Sequence, residues 1–382
     1  MRHYFDHASI SPCRPQAQAA MQAALECFGD PARGHQEALQ VRLLIEEARE
    51  KVADFFGTIP RSVVFTSGAT EAITTVVKGA AKRGNHQVTT AIEHSALNKR
   101  LEKSPEIRVS KVGVDAQATV EPPALLAAVE DETAVVHLQL CNHELGTCQA
   151  VAEAAEACRN KGVWLHTDAA QATGHMQFSF DDLEVDFMSV SAAKMGGPPG
   201  VGALLVRRGQ RLDPLFVGGD QERARRAGLE NFVGIVGFGA ACDFLSQKLD
   251  GSHLTGATQL SLEISEQEAF SAQVSGSFRS LDGLELLGHP SNRASHISCF
   301  HIADVEPQAV VMQLDRLGFA THSGSACSSE ADEPSPVLEA LGLDGNHSLR
   351  ISVGWNTTQA SVDALLAAVP EVLAGLRSLK NG

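Results

Sequence analysis

Val63-Val64-Phe65-Thr66-Ser67-Gly68-Ala69-Thr70-Glu71 joins a short β-branched strand to a helix through a turn of small residues. The strand is expected at residues 62–66 and the helix at residues 70–82. Valine, phenylalanine and threonine suit a pleated backbone. Backbone N–H groups at the start of the helix, together with the positive end of its dipole, make such a turn a ready anion site. The hydroxyls of Thr66, Ser67 and Thr70 add donors. A plain helix cap has the same appearance.

Outward from this turn, the alternation of strand and helix repeats. Residues 15–27 and 39–56 read as helices, the second amphipathic and ended by Gly57. Residues 87–90, 107–112, 134–140, 163–167, 186–189 and 202–207 read as strands, and residues 150–161 as a helix stopped by Gly162. This pattern predicts an α/β fold, a mostly parallel sheet sandwiched by helices. From about residue 251 the texture changes. Residues 254–274 form a long polar helix pattern, residues 284–287, 297–301 and 348–353 read as short strands, and residues 361–379 as a last helix. They predict a smaller α+β C-terminal domain. The large domain is expected at residues 14–250, and the small one at residues 1–13 and 251–382.

The bulk numbers agree with two units. A chain of 382 residues, 43 % hydrophobic, suits a large and a small domain better than one small core. A net charge of −15 without a lysine- or arginine-rich block argues against nucleic acid and anionic membrane as partners. The first residues, Met1-Arg2-His3-Tyr4-Phe5-Asp6-His7, lack the apolar stretch of a signal peptide, and no long apolar run follows, so a cytoplasmic protein is expected. The cysteines, at 13, 27, 141, 148, 158, 242, 299 and 327, form no CxxC pair and read as reduced thiols. With no clustered ligand set and no HExxH, no metal is expected.

Three further places carry candidate chemistry. Val163-Trp164-Leu165-His166-Thr167-Asp168 puts a carboxylate at a strand's C-terminal end, the edge where ligands bind in parallel sheets. Asp168 there can pair with a protonated pyridine nitrogen or simply cap a helix. Ser189-Val190-Ser191-Ala192-Ala193-Lys194-Met195-Gly196-Gly197-Pro198 sets a lysine beside a strand end. Desolvation lowers an amine's pKa and fits it for a Schiff base; an ordinary loop lysine is the alternative. His322-Ser323-Gly324-Ser325-Ala326-Cys327-Ser328-Ser329 leaves one thiol among small residues, as a reactive cysteine on a loop or an incidental one. Arg350, inside the apolar segment Leu349-Arg350-Ile351-Ser352, needs an anion: a substrate carboxylate or an internal salt bridge.

With these residues in place, the chain resembles the cysteine desulfurases of the pyridoxal-phosphate fold-type I, class V aminotransferase family. The resemblance runs over nearly the whole length in order: Tyr4-Phe5-Asp6-His7-Ala8, Thr66-Ser67-Gly68-Ala69-Thr70-Glu71, Glu93-His94, His143-Glu144-Leu145-Gly146 with Gln149, His166-Thr167-Asp168 with Gln171, Gly218-Gly219-Asp220-Gln221-Glu222-Arg223, Arg226-Ala227-Gly228, and the Cys327 segment. It implies a pyridoxal 5′-phosphate cofactor on Lys194, with His94 stacked on its ring, Asp168 at the ring nitrogen and Gln171 at the phenolic oxygen. Ala69, Thr70 and Ser191 would hold the phosphate and Arg350 the cysteine carboxylate. Cys327 would attack the substrate sulfur, leaving alanine and an enzyme persulfide for a sulfur-acceptor protein, as in iron–sulfur cluster assembly and thiolation. A homodimer is also implied. The chain departs from the family in its pocket: His143 replaces a cofactor-contacting asparagine, Ala193 a histidine, and Leu229 a threonine that reaches the neighbouring subunit's phosphate. Two other functions therefore stay open. One is a related lyase or aminotransferase acting on cysteine or another amino acid. The other is a degenerate homologue that binds a partner without turnover.

Overall fold

The computed structural model describes residues 2–249, 257–323 and 334–381. Cys327, with its neighbouring loop residues, lies outside the described residues.

A seven-stranded sheet runs in the order Val63–Thr66, Gly202–Val206, Phe187–Ser191, Trp164–Asp168, Thr133–His137, His86–Thr90, Arg108–Val112. All these strands are parallel except Gly202–Val206, which pairs antiparallel with both neighbours. The alternation of side chains shows why both faces are covered. Val63, Phe65, Val136, Met188, Val190, Ala203 and Leu205 point into one core with Val41, Ile45, Val52 and Phe56 of the helix Gln36–Phe55. Val64, Val135, Phe187, Leu204 and Val206 point into another, closed by Ala72, Val76 and Ala80 of the helix Ala69–Ala80. Apolar side chains at both parities are the signature of a sheet buried on both faces.

The C-terminal residues build an antiparallel sheet, Ser348–Ser352, Ile297–Ile302, Leu284–Leu286. The helices Gln259–Phe278, Pro307–Arg316 and Gln359–Asn381 belong to the same region. Phe5 enters this core beside Phe278, Phe300, Leu349 and Ile351, and His3–Tyr4 pairs in parallel with Phe319–Ala320. The N-terminal segment is thereby drawn across the molecule to the second core.

The expected elements are present with shifted ends. The strand read at 134–140 ends as a regular strand at His137, although Leu138 and Leu140 still donate to the carbonyls of His166 and Asp168 on its neighbour. The helix read from residue 254 starts at Gln259, where the Thr258 hydroxyl accepts from Ser261 N–H and the Ser261 hydroxyl from Thr258 N–H. One large element is new: the helix Phe232–Ser246, which is apolar but for Asp243 and Ser246 and contains Gly234, Gly237 and Gly239.

Candidate active site

Every expected cofactor residue follows the C-terminal end of a parallel strand. Thr66 leads to the turn, Thr90 to His94, His137 to His143, Asp168 ends its strand, and Ser191 passes into a 3₁₀ turn, Ala192–Lys194. The topology thus collects residues scattered over more than a hundred positions at one edge of the sheet.

The turn is shaped to receive an anion. The helix Ala69–Ala80 starts from Gly68 with no side-chain cap. A Cβ on Gly68 would meet nothing within 4 Å, so the space beside the turn is open. On its other side the turn lies against the sheet: a Cβ on Gly202 would stand 2.8 Å from Gly68 Cα and 2.4 Å from Val190 O. Ser67 N–H is already taken, donating 2.7 Å to Glu71 Oε2. Glu71 in turn pairs with Arg226 at 2.9 Å, which ties the glycine-rich segment to the turn. This brace was not legible in the sequence, since Glu71 reads as an ordinary first-turn acid.

His94 accepts from Ala96 N–H through Nδ1 at 3.1 Å and so caps the helix Ser95–Glu102. Burial, with the nearby His143, Lys194 and Arg350, pulls its pKa down to about 3. The ring is therefore neutral near pH 7. The His143 ring meets it edge-on at 4.9 Å, and His143 Nδ1 is buried with no hydrogen-bond partner. Asp168 Oδ1 accepts from Ala170 N–H at 3.0 Å. Burial raises its carboxyl pKa, opposed by that hydrogen bond and by His143 and Lys194.

Three candidate residues meet on the N-terminal segment at residues 6–9. Lys194 Nζ donates to Ala8 O and Ser9 O, both at 2.7 Å. Gln171 Nε2 donates to Ala8 O at 2.7 Å, while its Oε1 lies 3.2 Å from His296 Nε2. The fully buried Arg350 uses Nη2 for Asp6 Oδ1 at 3.0 Å and Ser9 Oγ at 2.7 Å, and Nη1 for His143 O at 2.9 Å. Both readings of Arg350 therefore have support. An internal ion pair is present, and Nε remains buried without a hydrogen-bond partner. Backbone acceptors carry no sequence signature, which is why the role of Ala8 and Ser9 was not legible.

Of the departures, Leu229 is 64 % exposed, and Ala193 contributes its carbonyl to Ser11 N–H. Gln221 Oε1 accepts from Gly228 N–H, and Arg226 is paired with Glu71. A cavity of about 750 Å³ opens along the sheet's edge strand, reaches Thr66 and Arg226, and is lined by arginines that include Arg61, Arg208 and Arg211. Most of its arginines come from two short stretches, Arg207-Arg208-Gly209-Gln210-Arg211 and Arg223-Ala224-Arg225-Arg226, which the fold brings together.

The donor set fits pyridoxal phosphate. It offers an open, uncapped helix start for a phosphate, an amine, a desolvated carboxylate and two rings, that of His143 with an unpartnered nitrogen. The chain belongs to the aminotransferase class-V family, whose pattern it matches over residues 3–365. Within that family it stands with the cysteine desulfurases. It is 34 % identical to "Cysteine desulfurase IscS" of Dictyoglomus turgidum, over 98 % of this chain and 95 % of that protein. It is 36 % identical to "Cysteine desulfurase" of Cereibacter sphaeroides, over 99 % and 97 %. Among solved structures, a "NIFS-LIKE PROTEIN" superposes with a TM-score of 0.89 at 29 % identity, covering 98 % of this chain and all of that one. The structure described as "SspA in complex with cysteine" gives 0.77 at 27 % identity, over 92 % and 99 %.

Proposed function

We propose that the protein is a pyridoxal-phosphate-dependent cysteine desulfurase that converts L-cysteine to L-alanine and places the sulfur on Cys327 as a persulfide. The observation that carries this reading is the convergence of Lys194, Gln171 and Arg350 on residues 6–9, beside His94 and His143. The uncapped turn at Gly68 and Ala69, with Thr70 and Ser191, would hold the phosphate, and Lys194 would hold the aldehyde carbon. The bound cofactor supplies an electron-poor ring that takes up electrons from the substrate's breaking bonds.

The chain's own residues do the rest. Asp168 holds the ring nitrogen's proton; a positive partner there offsets the cost of burying this carboxylate. His94, neutral near pH 7, would pack on the cofactor ring without adding charge. Lys194, within reach of two carbonyls, holds and returns protons at the substrate carbons. Arg350 offers its fork to the substrate carboxylate. The Cys327 thiolate forms a bond to the substrate sulfur as the carbon–sulfur bond breaks. The carbon gains a proton, giving alanine, and the protein keeps –S–SH.

The persulfide then passes to an acceptor protein serving iron–sulfur cluster assembly or thiolation. A homodimer is part of the proposal, supported by Phe216, Val217 and Leu229, exposed apolar residues on the glycine-rich segment. No described helix is long and apolar enough to cross a membrane, and a cytoplasmic location is proposed with it. Product analysis tests the reaction. Cys327→Ser should retain the cofactor yet release almost no alanine or sulfide from cysteine. A variant that forms alanine at the parent rate would remove the desulfurase reading, and pyruvate with ammonia would support the lyase.

A further inference from the structure

Cys141 and Cys148 face each other across the neck of the turn that carries His143. They form an antiparallel bridge. The flanking hydrogen bonds run from Asn142 N to Thr147 O at 2.9 Å and from Gln149 N to Leu140 O at 3.1 Å. Cys141 and Cys148 are therefore the non-hydrogen-bonded pair of this small ladder. Such pairs hold their Cα atoms about 4.5 Å apart with side chains on one face, inside the span of about 4.4–6.8 Å that a disulfide bridges.

The thiols also share one neighbour. Cys141 Sγ lies 3.3 Å and Cys148 Sγ 3.8 Å from Gly146 O. The neck is pinned from outside: Cys148 N–H donates to Asn292 O, and Ala294 N–H to Gly146 O. Arg293 reaches in with Nη2 donating to Leu145 O at 3.0 Å and Ile297 O at 2.9 Å, setting a positive charge against the hairpin. The two sulfurs are thus held in register by backbone that has no other reason to separate them.

We propose that Cys141 and Cys148 form a reversible disulfide, a redox modification site across the neck of the His143 turn. The Cys141 thiol and the Arg293 charge hold the Cys148 pKa below the usual thiol range, while Cys141 itself is raised. Cys148 therefore gives up its proton the more readily of the two and is the first to attack. With hydrogen peroxide as oxidant, its sulfur takes one oxygen as the O–O bond breaks, giving a sulfenic acid and hydroxide. Cys141 sulfur then attacks that sulfur. The S–S bond forms, and its proton leaves with the oxygen as water. Two thiols lose two electrons and one peroxide becomes two waters. A dithiol reverses the step. The bond clamps both ends of the turn that sets His143 against His94 and presents His143 O to Arg350.

Trypsin offers a direct readout, because Cys141, Cys148 and Cys158 share one peptide between Lys111 and Arg159. Native holoprotein is treated with hydrogen peroxide, unfolded in iodoacetamide, digested and weighed. The expected peptide carries a single alkyl group, on Cys158, and has lost two hydrogens; dithiothreitol before alkylation restores three alkyl groups. Cys148→Ala should leave Cys141 open to alkylation, whereas Cys158→Ala should leave the disulfide intact. Three alkyl groups after peroxide, added oxygen on Cys148 without loss of hydrogens, or a bond that includes Cys158 would each overturn the pairing.

Discussion

In the proposed reaction Arg350 would serve two states with one side chain. It is fully buried, and a buried guanidinium without an anion is costly. Asp6 and Ser9 satisfy Nη2 and His143 O satisfies Nη1, while Nε is left over. A substrate carboxylate can use Nε and compete with Asp6 for Nη2. Arg350→Ala should therefore raise the half-saturating cysteine concentration by about tenfold or more, the loss of one to two charge-assisted hydrogen bonds. Arg350→Lys should recover only part of it, because a point charge cannot copy the fork. Asp6→Asn should act differently: it lowers the thermal midpoint without raising the half-saturating concentration. An Arg350→Ala enzyme with unchanged substrate dependence would place the carboxylate elsewhere. Arg350 was legible in the sequence because a lone charge in an apolar strand demands a partner. Asp6 was not legible as that partner, since it lies more than three hundred residues away and is brought near by the pairing of His3–Tyr4 with Phe319–Ala320 and by its own parallel bridge to Ser352.

At the scale of the element, the helix Phe232–Ser246 is the instructive case. Glycine weakens a helix by about 1 kcal/mol relative to alanine, and this segment contains three within six positions. Nor does it show a clear apolar stripe, being apolar on nearly every side with Asp243 its one charge. Its glycines are explained by what packs on them. A Cβ on Gly239 would stand 2.8 Å from both Cα and Cβ of Ala48, and one on Gly237 would stand 2.7 Å from Met21 Cγ. The helix is sunk against the helices Pro15–Ala24 and Gln36–Phe55, and tertiary contact overrides propensity. Gly239→Ala should then destabilise the protein by about 1–3 kcal/mol despite the better helix former, since it presses on backbone that cannot yield. Gly276, whose added Cβ would meet nothing within 4 Å in the helix Gln259–Phe278, is the control, and the same change there should be neutral or stabilising. Equal thermal midpoints for the two variants would refute the packing account. By contrast, the strands of the large sheet were legible at once, because β-branched runs between turn residues keep their meaning whatever packs on them. The site turns were legible for the same reason: small residues after a strand announce a place, though not the Glu71–Arg226 brace that holds it.

For the whole molecule, buried histidines decide the response to acid. His7, His94 and His166 have pKa values pulled down to about 3 and His175 to about 4, while His137 and His296 lie well below the ordinary range, in each case chiefly through burial. Several form hydrogen-bonded chains through the interior. Gln87, His137, His166 and Ser189 link four neighbouring strands, and His175 stacks on His296 at 3.6 Å while bonding Lys194 O. In the unfolded chain these rings titrate near 6.5. Between about pH 6.5 and their folded pKa values the unfolded state binds more protons, so the stability they confer is present above pH 6.5 and is lost as pH falls. Each contributes a slope of about 1.4 kcal/mol per pH unit once its unfolded form is charged. Glu93, raised to about 7, and Asp168, Asp186 and Glu230, also raised, act in the opposite sense, because their folded forms keep protons that the unfolded chain releases. The six histidines, joined by the lowered His86 and His322, outweigh these four carboxylates over pH 6 to 4. The urea midpoint at constant ionic strength should therefore fall steadily from pH 7 to pH 5. His166→Gln should flatten the fall by about one proton's slope while lowering the midpoint at pH 7. A midpoint that holds constant down to pH 5 would mean that these rings are charged in the folded protein, and the neutral His94 on which the proposed site depends would go with them.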